Sequence, residues 1–249
     1  MKKILAILLV VFVCSCDSES ANDCFQTSGT IISKTIELDA FEKILVNRNI
    51  ELTIIQGAEL KALIETGENL MNDVEVKVVA GELQLTDHNT CNLFRDYDPT
   101  KITITAPYFN VIRSSTQFEI KSEGVLTLDK LELFSEDYNN SEVFTVGDFR
   151  LQVDVEELDV VSNNISVYYI SGNSNTLSVG FYAGGGRFEG ANLIANTVNV
   201  YHRGSNDIIV NPQESLTGEL VSTGDLISKN RPATIDVDVK FKGQLYFED

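Results

Sequence analysis

"LDVVSNNISVYYI" (158–170) is followed, 19 residues after its first leucine, by "LSVGFYAGGGRFEG" (177–190). Both run apolar-x-apolar, then a Ser/Asn/Gly corner, then a second short apolar strand. The same order recurs in "FNVIRSSTQFEI" (109–120), "LELFSEDYNNSEVFTV" (131–146), "VNVYHRGSNDIIV" (198–210) and "GELVSTGDLI" (218–227). Aligned on their third residues, Val111, Leu133, Val160, Val179, Val200 and Leu220, the units step by 22, 27, 19, 21 and 20 positions. The second apolar stretch is carried by Phe118/Ile120, Ile165/Val167, Phe188 and Ile208/Val210. A repeat of roughly 20 residues with polar corners predicts a β-solenoid. One coil cannot bury its inward side chains alone, so coils stack about 4.8 Å apart and share a core. The 27-residue step predicts an outward loop near Tyr138–Asn140, where an insertion disturbs stacking least. The competing architecture is a β-sandwich, which also has short strands at regular spacing but needs no repeated corner chemistry.

The rest of the chain supports the all-β reading. "IELTII" (50–55), "VEVKVV" (74–79), "KITIT" (101–105) and "IDVDVKF" (235–241) alternate with period two and are rich in Val and Ile. "VKVVAGELQL" predicts a hairpin around Ala80-Gly81-Glu82, and "DHNTCNLFRDYDPT" (87–100) a polar loop carrying Cys91. No linker separates the halves. Residues 31–249 therefore read as one solenoid domain whose N-terminal strands form the first coils and a cap over the open end.

Lys2 and Lys3 precede an apolar run from Ile4 to Val13 that is too short to span a bilayer. Residues 1–15 thus read as an export signal. The cut site resembles the lipobox of bacterial lipoproteins: Cys16 follows Ser15, with Val13 at −3, so Cys16 is the expected acylated N-terminus. Cys14 fits worse behind bulky Val13. The alternative is an ordinary secretory signal with incidental cysteines. Residues 16–30 would then be a short tether. Asp17 resembles an inner-membrane retention signal of enterobacteria, whereas the Ser/acidic run "SES" resembles a surface-export signal of other Gram-negative groups. The expected location is the outer membrane, facing outward, with the periplasmic face as the alternative.

Formal net charge is −18, and loss of residues 1–15, which hold two lysines and no acid, takes it to −20. Such a surface repels nucleic-acid phosphates and anionic headgroups. With Cys14 removed and Cys16 acylated, Cys24 and Cys91 remain. An even pair in an exported protein predicts a disulfide, the alternative being two separate thiols. The bond would close a 67-residue loop and contribute about 4 kcal/mol in the chain-entropy picture. No Cys-x-x-Cys or Cys/His cluster supports zinc or thioredoxin-like chemistry.

The stretch "FEKILVNRNIELTIIQG…LIETGENLMNDVEVKVVAGELQL" (41–85) resembles the opening of the auto-transporter adhesin head-domain family, also called the head GIN domain. The shared features are Phe41, the Ile50/Leu52/Ile54 alternation before Gln56-Gly57, "ENL" (68–70), and Gly81 before Leu83/Leu85. "LTGELVSTGDLISKNRPATIDVDVKFKGQL" is similar to that family's closing coils, so the resemblance covers about residues 34–247. It implies a right-handed β-helix-like fold, a lipid-anchored or secreted envelope protein, and no catalysis. The chain departs from the family's Gly/Ser-rich turns at "SSTQ", "SEDYNNS" and "HRGSND".

Other right-handed β-helices are polysaccharide lyases and hydrolases, which need clustered acids with a basic partner. The candidates are Asp96/Asp98, Asp154/Glu156, Asp236/Asp238, and the corner holding Tyr201, His202, Arg203 and Asp207. Spacing by two puts each acidic pair on one strand face, which suits a ligand and equally suits a solvated face. The "NTD", "GHG" and "RIK" motifs of polygalacturonases are missing, as are EF-hand, RTX, P-loop, G-x-S-x-G and dinucleotide patterns. "AGGGR" (183–187) sits at a corner and lacks the helix a phosphate cradle needs. Tyr168, Tyr169, Phe181, Tyr182 and Tyr201 recur beside corners, either as an outer sugar-binding ladder or as an inner stack. The sequence therefore predicts no catalytic residues, metal or cofactor. It predicts a lipid-anchored envelope protein with an adhesive or structural role toward a glycan or protein, the corner Tyr201, His202, Arg203 and Asp207 being its candidate ligand surface. The alternative is a β-helical carbohydrate-active enzyme.

Overall fold

The computed structural model describes residues 26–89, 99–138 and 143–248. Cys16, Cys24, Cys91, Asp96 and Asp98, with the expectations placed on them, lie outside the described residues. Among those described, no helix is long and apolar enough to cross a membrane.

Alternating apolar residues place one side of most strands in the core. The first half holds β1 (Ile31–Glu37), β2 (Lys43–Val46), β3 (Ile50–Gln56), β4 (Lys61–Gly67), β5 (Val74–Val79), β6 (Glu82–Asp87), β7 (Thr100–Ala106) and β8 (Val111–Ser114). Longer strands follow: β9 (Ile120–Ser135), β10 (Phe149–Ser162), β11 (Val167–Phe181), β12 (Arg187–His202) and β13 (Ile208–Leu220). β14 (Leu226–Ser228), β15 (Thr234–Val239) and β16 (Leu245–Phe247) close the chain. All belong to one connected sixteen-stranded sheet, not to the facing pair of sheets of a sandwich. From β9 to β13 each strand pairs in parallel with the next in sequence, giving a solenoid-like arrangement. The pairing sets Leu131, Leu158, Leu177, Val198 and Leu216 side by side, each with no exposed surface. A second inner row runs Ile120, Phe149, Tyr168, Phe188, Ile208 and Leu226, all fully buried. Within it Phe149 and Tyr168 stack at 4.9 Å and 6°.

The long strands bend between these rows. At Gly172 φ is +111°, and a Cβ would lie 2.0 Å from the Val153 carbonyl oxygen, so only glycine turns the chain this close to the coil below. The expected hairpin is present: β5 and β6 run antiparallel, with Val79 opposite Glu82. Ala80 and Gly81, at φ 51° and 78°, make the two-residue turn.

Three expected alignments slip. Leu133 pairs with Ile112 rather than Val111, and Ile112 is the fully buried one. A one-residue shift exchanges the faces of a strand, and two adjacent apolar residues concealed which one points inward. Val200 pairs with Gly218, while Leu220 lies beside His202. In the third unit Tyr168 and Ile170 are buried and Ile165 is 53% exposed, the reverse of the Ile165/Val167 expectation.

The first half mixes directions. β2 pairs in parallel with β6 and β8, and β3 with β7 and β9, while β4 runs antiparallel to both β1 and β7. Asp87, 5% exposed, ties this end together. It accepts hydrogen bonds from Thr100 Oγ1 at 2.6 Å, the Asn89 amide at 2.8 Å and Asn89 Nδ2 at 2.7 Å.

Candidate functional site

The outward residues of β9–β13 form rows as regular as the inner ones. One row runs Glu132, Asp159, Ser178, Asn199 and Thr217; the next runs Phe134, Val161, Gly180, Tyr201 and Glu219. Gly180 interrupts the second row, and its missing side chain leaves the space that the Tyr182 ring fills: a Cβ there would stand 2.7 Å from Tyr182 Cε2. Tyr182 thereby lies beside Tyr201, with ring centroids 5.1 Å apart and planes at 30°. Tyr138 meets Tyr182 edge-on at 6.3 Å. Tyr138 and Tyr182 are 58% and 40% exposed. Three tyrosines, one after β9, one after β11 and one near the end of β12, thus form an outer edge beside the polar row, and a shallow groove runs along Asp159, Ser178 and Asn199 to Tyr182 and Tyr201.

The groove's charges are largely satisfied. Lys130 Nζ lies 3.2 Å from Asp159 and 3.4 Å from Glu132, contacts that hold its ammonium charged and raise its pKa. Asn199 Nδ2 donates to Thr217 Oγ1 at 2.9 Å. Burial, with the nearby Tyr182 and Glu136, raises the pKa of the Tyr138 hydroxyl, so it stays protonated and able to donate. Neutral hydroxyls and an amide are donors and acceptors for a polyol, and the ring faces offer apolar surface for its CH groups.

The corner singled out by sequence divides. His202 has no exposed surface and sits in the core row between Phe181 and Leu220, so it is a packing residue and not part of a ligand surface. A histidine can do this because the corner satisfies its polar atoms: Nε2 donates to the Asn206 carbonyl at 2.7 Å and Nδ1 accepts from the Gly204 amide at 3.3 Å. That pairing defines a neutral ring, and burial lowers its pKa. Asp207 is held by Arg187 at 2.5 Å, which also binds Glu189, so this acid joins neighbouring coils. Tyr201 and exposed Arg203 face outward.

The aromatic expectation also divides. Tyr168 and Phe181 stack inward; Tyr169, Tyr182 and Tyr201 point outward. Tyr169 is covered by the Arg150 guanidinium at 4.2 Å, itself paired with Glu119 at 2.8 Å. Tyr138 was expected only as part of a loop. Nothing in its neighbourhood signals a partner 44 positions away, because the stack alone brings them together.

The acidic pairs stay on solvated strand faces. Asp154 and Glu156 are exposed, as are Asp236 and Asp238. Among the described residues no three His, Cys, Asp or Glu side chains are grouped to hold a metal.

Several solved structures share this architecture. A "putative adhesin" from Bacteroides fragilis NCTC 9343 matches 89% of this chain and 99% of its own, with a TM-score of 0.79 and 22% identity. Another from Parabacteroides merdae ATCC 43184 matches 88% and 96%, at 0.63 and 17%. A "putative lipid binding protein" from Parabacteroides distasonis ATCC 8503 matches 87% and 97%, at 0.58 and 14%. No curated protein matches the chain in sequence. Residues 40–232, most of the described chain, match the profile of one family, and the protein belongs to it: "Putative auto-transporter adhesin, head GIN domain".

Proposed function

We propose that this is a non-enzymatic adhesive protein of the bacterial envelope that binds a neutral saccharide along the tyrosine-edged face. The observation that carries this reading is the outward-facing pair of exposed Tyr182 and half-buried Tyr201, extended by Tyr138, beside the Ser178/Asn199 row. Ring faces stack on the apolar CH faces of sugars, and flanking hydroxyl and amide groups fix orientation. The Tyr182 and Tyr201 ring centroids are 5.1 Å apart, about the length of one pyranose unit, so two adjacent sugars of a chain laid across these coils each meet a ring. A net charge of −18 argues against an anionic polysaccharide.

In this reading Cys16 carries the acyl groups that hold the protein in the outer membrane, and residues 16–30 connect the anchor to a single domain, 31–249. The repeats form right-handed coils of about 20 residues, the sense that parallel crossover connections of L-residues strongly favour. Cys24 and Cys91 are joined in a disulfide. Cys16→Ala leaves a soluble, non-acylated chain, and unchanged anchoring would refute that assignment. Non-reducing peptide mapping should recover Cys24 and Cys91 in one species; separate free peptides would refute the bond.

The deciding experiment is a glycan-array screen of the mature chain beside a Tyr182→Ala/Tyr201→Ala variant. Both side chains are already partly solvated, so the variant should fold normally. Binding to neutral glycans that the variant loses by about tenfold or more is the expected result. Equal binding by both chains, or none by either, sinks the proposal.

A further inference from the structure

β15 and β16 form the last coil among the described residues. β15 is hydrogen-bonded to β13 and β16 to β14, and among the described residues no strand lies beyond either. Ile235, Val237 and Val239 continue the inner rows of Leu216, Gly218 and Leu220. Yet Ile235 and Val239 are 39% and 41% exposed where Leu216 and Leu220 have no exposed surface. Phe241 beside them is 58% exposed. The same edge presents its outer face as Asp236 and Asp238, both exposed. Asp238 is 3.6 Å from Lys240, whose nearer partner is Glu219 at 2.8 Å. An extended strand edge with half-covered apolar side chains is a template for strand addition.

We propose that the β15 edge is a docking site for an extended segment of another protein, in which basic residues alternate with apolar ones. Backbone groups of the incoming strand would complete the ladder. Its apolar side chains would cover Ile235, Val237 and Val239, and its Lys or Arg side chains would stand beside Asp236 and Asp238. The acids also argue against a second copy of this chain. Cross-strand neighbours share a face, so a two-fold antiparallel pair must keep the three apolar residues together. Every such register that overlaps over more than half of the six-residue strand sets Asp236 opposite Asp238 or opposite itself, and directly opposed like charges are destabilising.

The test uses the full mature chain at physiological ionic strength with two synthetic peptides, one alternating valine and lysine, the other valine and glutamate. The lysine peptide should bind saturably and slow amide exchange in residues 234–247 while leaving the tyrosine face unaffected. Asp236→Lys/Asp238→Lys should reverse the preference, by about tenfold, toward the glutamate peptide. Asp238→Lys alone sets an ammonium opposite each Asp236 of a two-fold pair and should convert a monomer into a dimer by sedimentation. Exchange in β11 and β12 serves as the folding control for both variants. Protection outside this edge, an unchanged peptide preference, or a wild-type chain already dimeric through these amides overturns the proposal. An Asp238→Lys chain that stays monomeric does so too, because it removes charge as the reason that copies stay apart.

Discussion

At the N-terminal end of the sheet the chain reverses direction, with β1, β4 and β7 antiparallel and β5 folded back on β6. At the C-terminal end β15 and β16 keep the parallel order and stop. Reversal lets a strand cover the edge of its neighbour: Ala62 and Ile64 of β4 are buried under a β1 that is itself exposed along nearly its whole length. That outermost strand carries Lys34 at its centre, a charge that discourages further pairing. The C-terminal coil instead repeats the inward pattern of the coils below it, and among the described residues no strand pairs with its outer edge. Repetition builds the middle of this protein, and departure from repetition closes one end of it.

The largest expected effect contrasts the middle with the open end. Tyr168→Ala should cost about 3–5 kcal/mol in urea unfolding, because Tyr168 is fully buried and stacked on Phe149. Ile235→Ala should cost below about 1 kcal/mol, since that side chain already meets solvent. Equal losses would mean that the last coil is as well covered as the centre. Next, Asp87→Ala should cost about 1–3 kcal/mol by leaving the buried Thr100 hydroxyl and Asn89 amide donors without their acceptor. Amide exchange should then quicken in β6 and β7 but not in β12, and a uniform change would deny that the N-terminal end closes locally.

The smallest effect is a pH dependence from His202. Its folded pKa lies below the ordinary 6.5, so the unfolded chain takes up the proton first. The stability tied to the neutral ring is present above about pH 6.5 and declines as pH falls below it toward the folded pKa. Unfolding midpoints of wild type and His202→Gln should diverge more at pH 7.5 than at pH 5.5, and parallel curves would remove His202 as the cause.

Alternation made the strands legible, and a repeated corner made the stacking legible, because both are set by neighbours in sequence. The hairpin at Ala80-Gly81 was legible for the same reason. Inward and outward faces were lost where apolar residues adjoin, as at Val111-Ile112 and across Ile165–Ile170. His202 misled because a polar residue in a polar corner reads as exposed until its two ring nitrogens are seen to be satisfied by Asn206 and Gly204. The tyrosine edge was half legible. Tyr182 and Tyr201 recur at coil spacing, but the part of Gly180 in seating Tyr182 depends on a side chain that is missing.

The corner between β9 and β10 has a consequence for how such a protein can diversify. Leu131 and Leu158 stand side by side although 27 positions separate them, while Leu158 and Leu177 do so across 19. Extra residues have therefore entered at one vertex without shifting a rung of the ladder, and Tyr138 lies in that vertex. A lineage can lengthen, shorten or rewrite this segment as freely as an antibody varies a loop, and each new version is displayed beside Tyr182 on an unchanged frame.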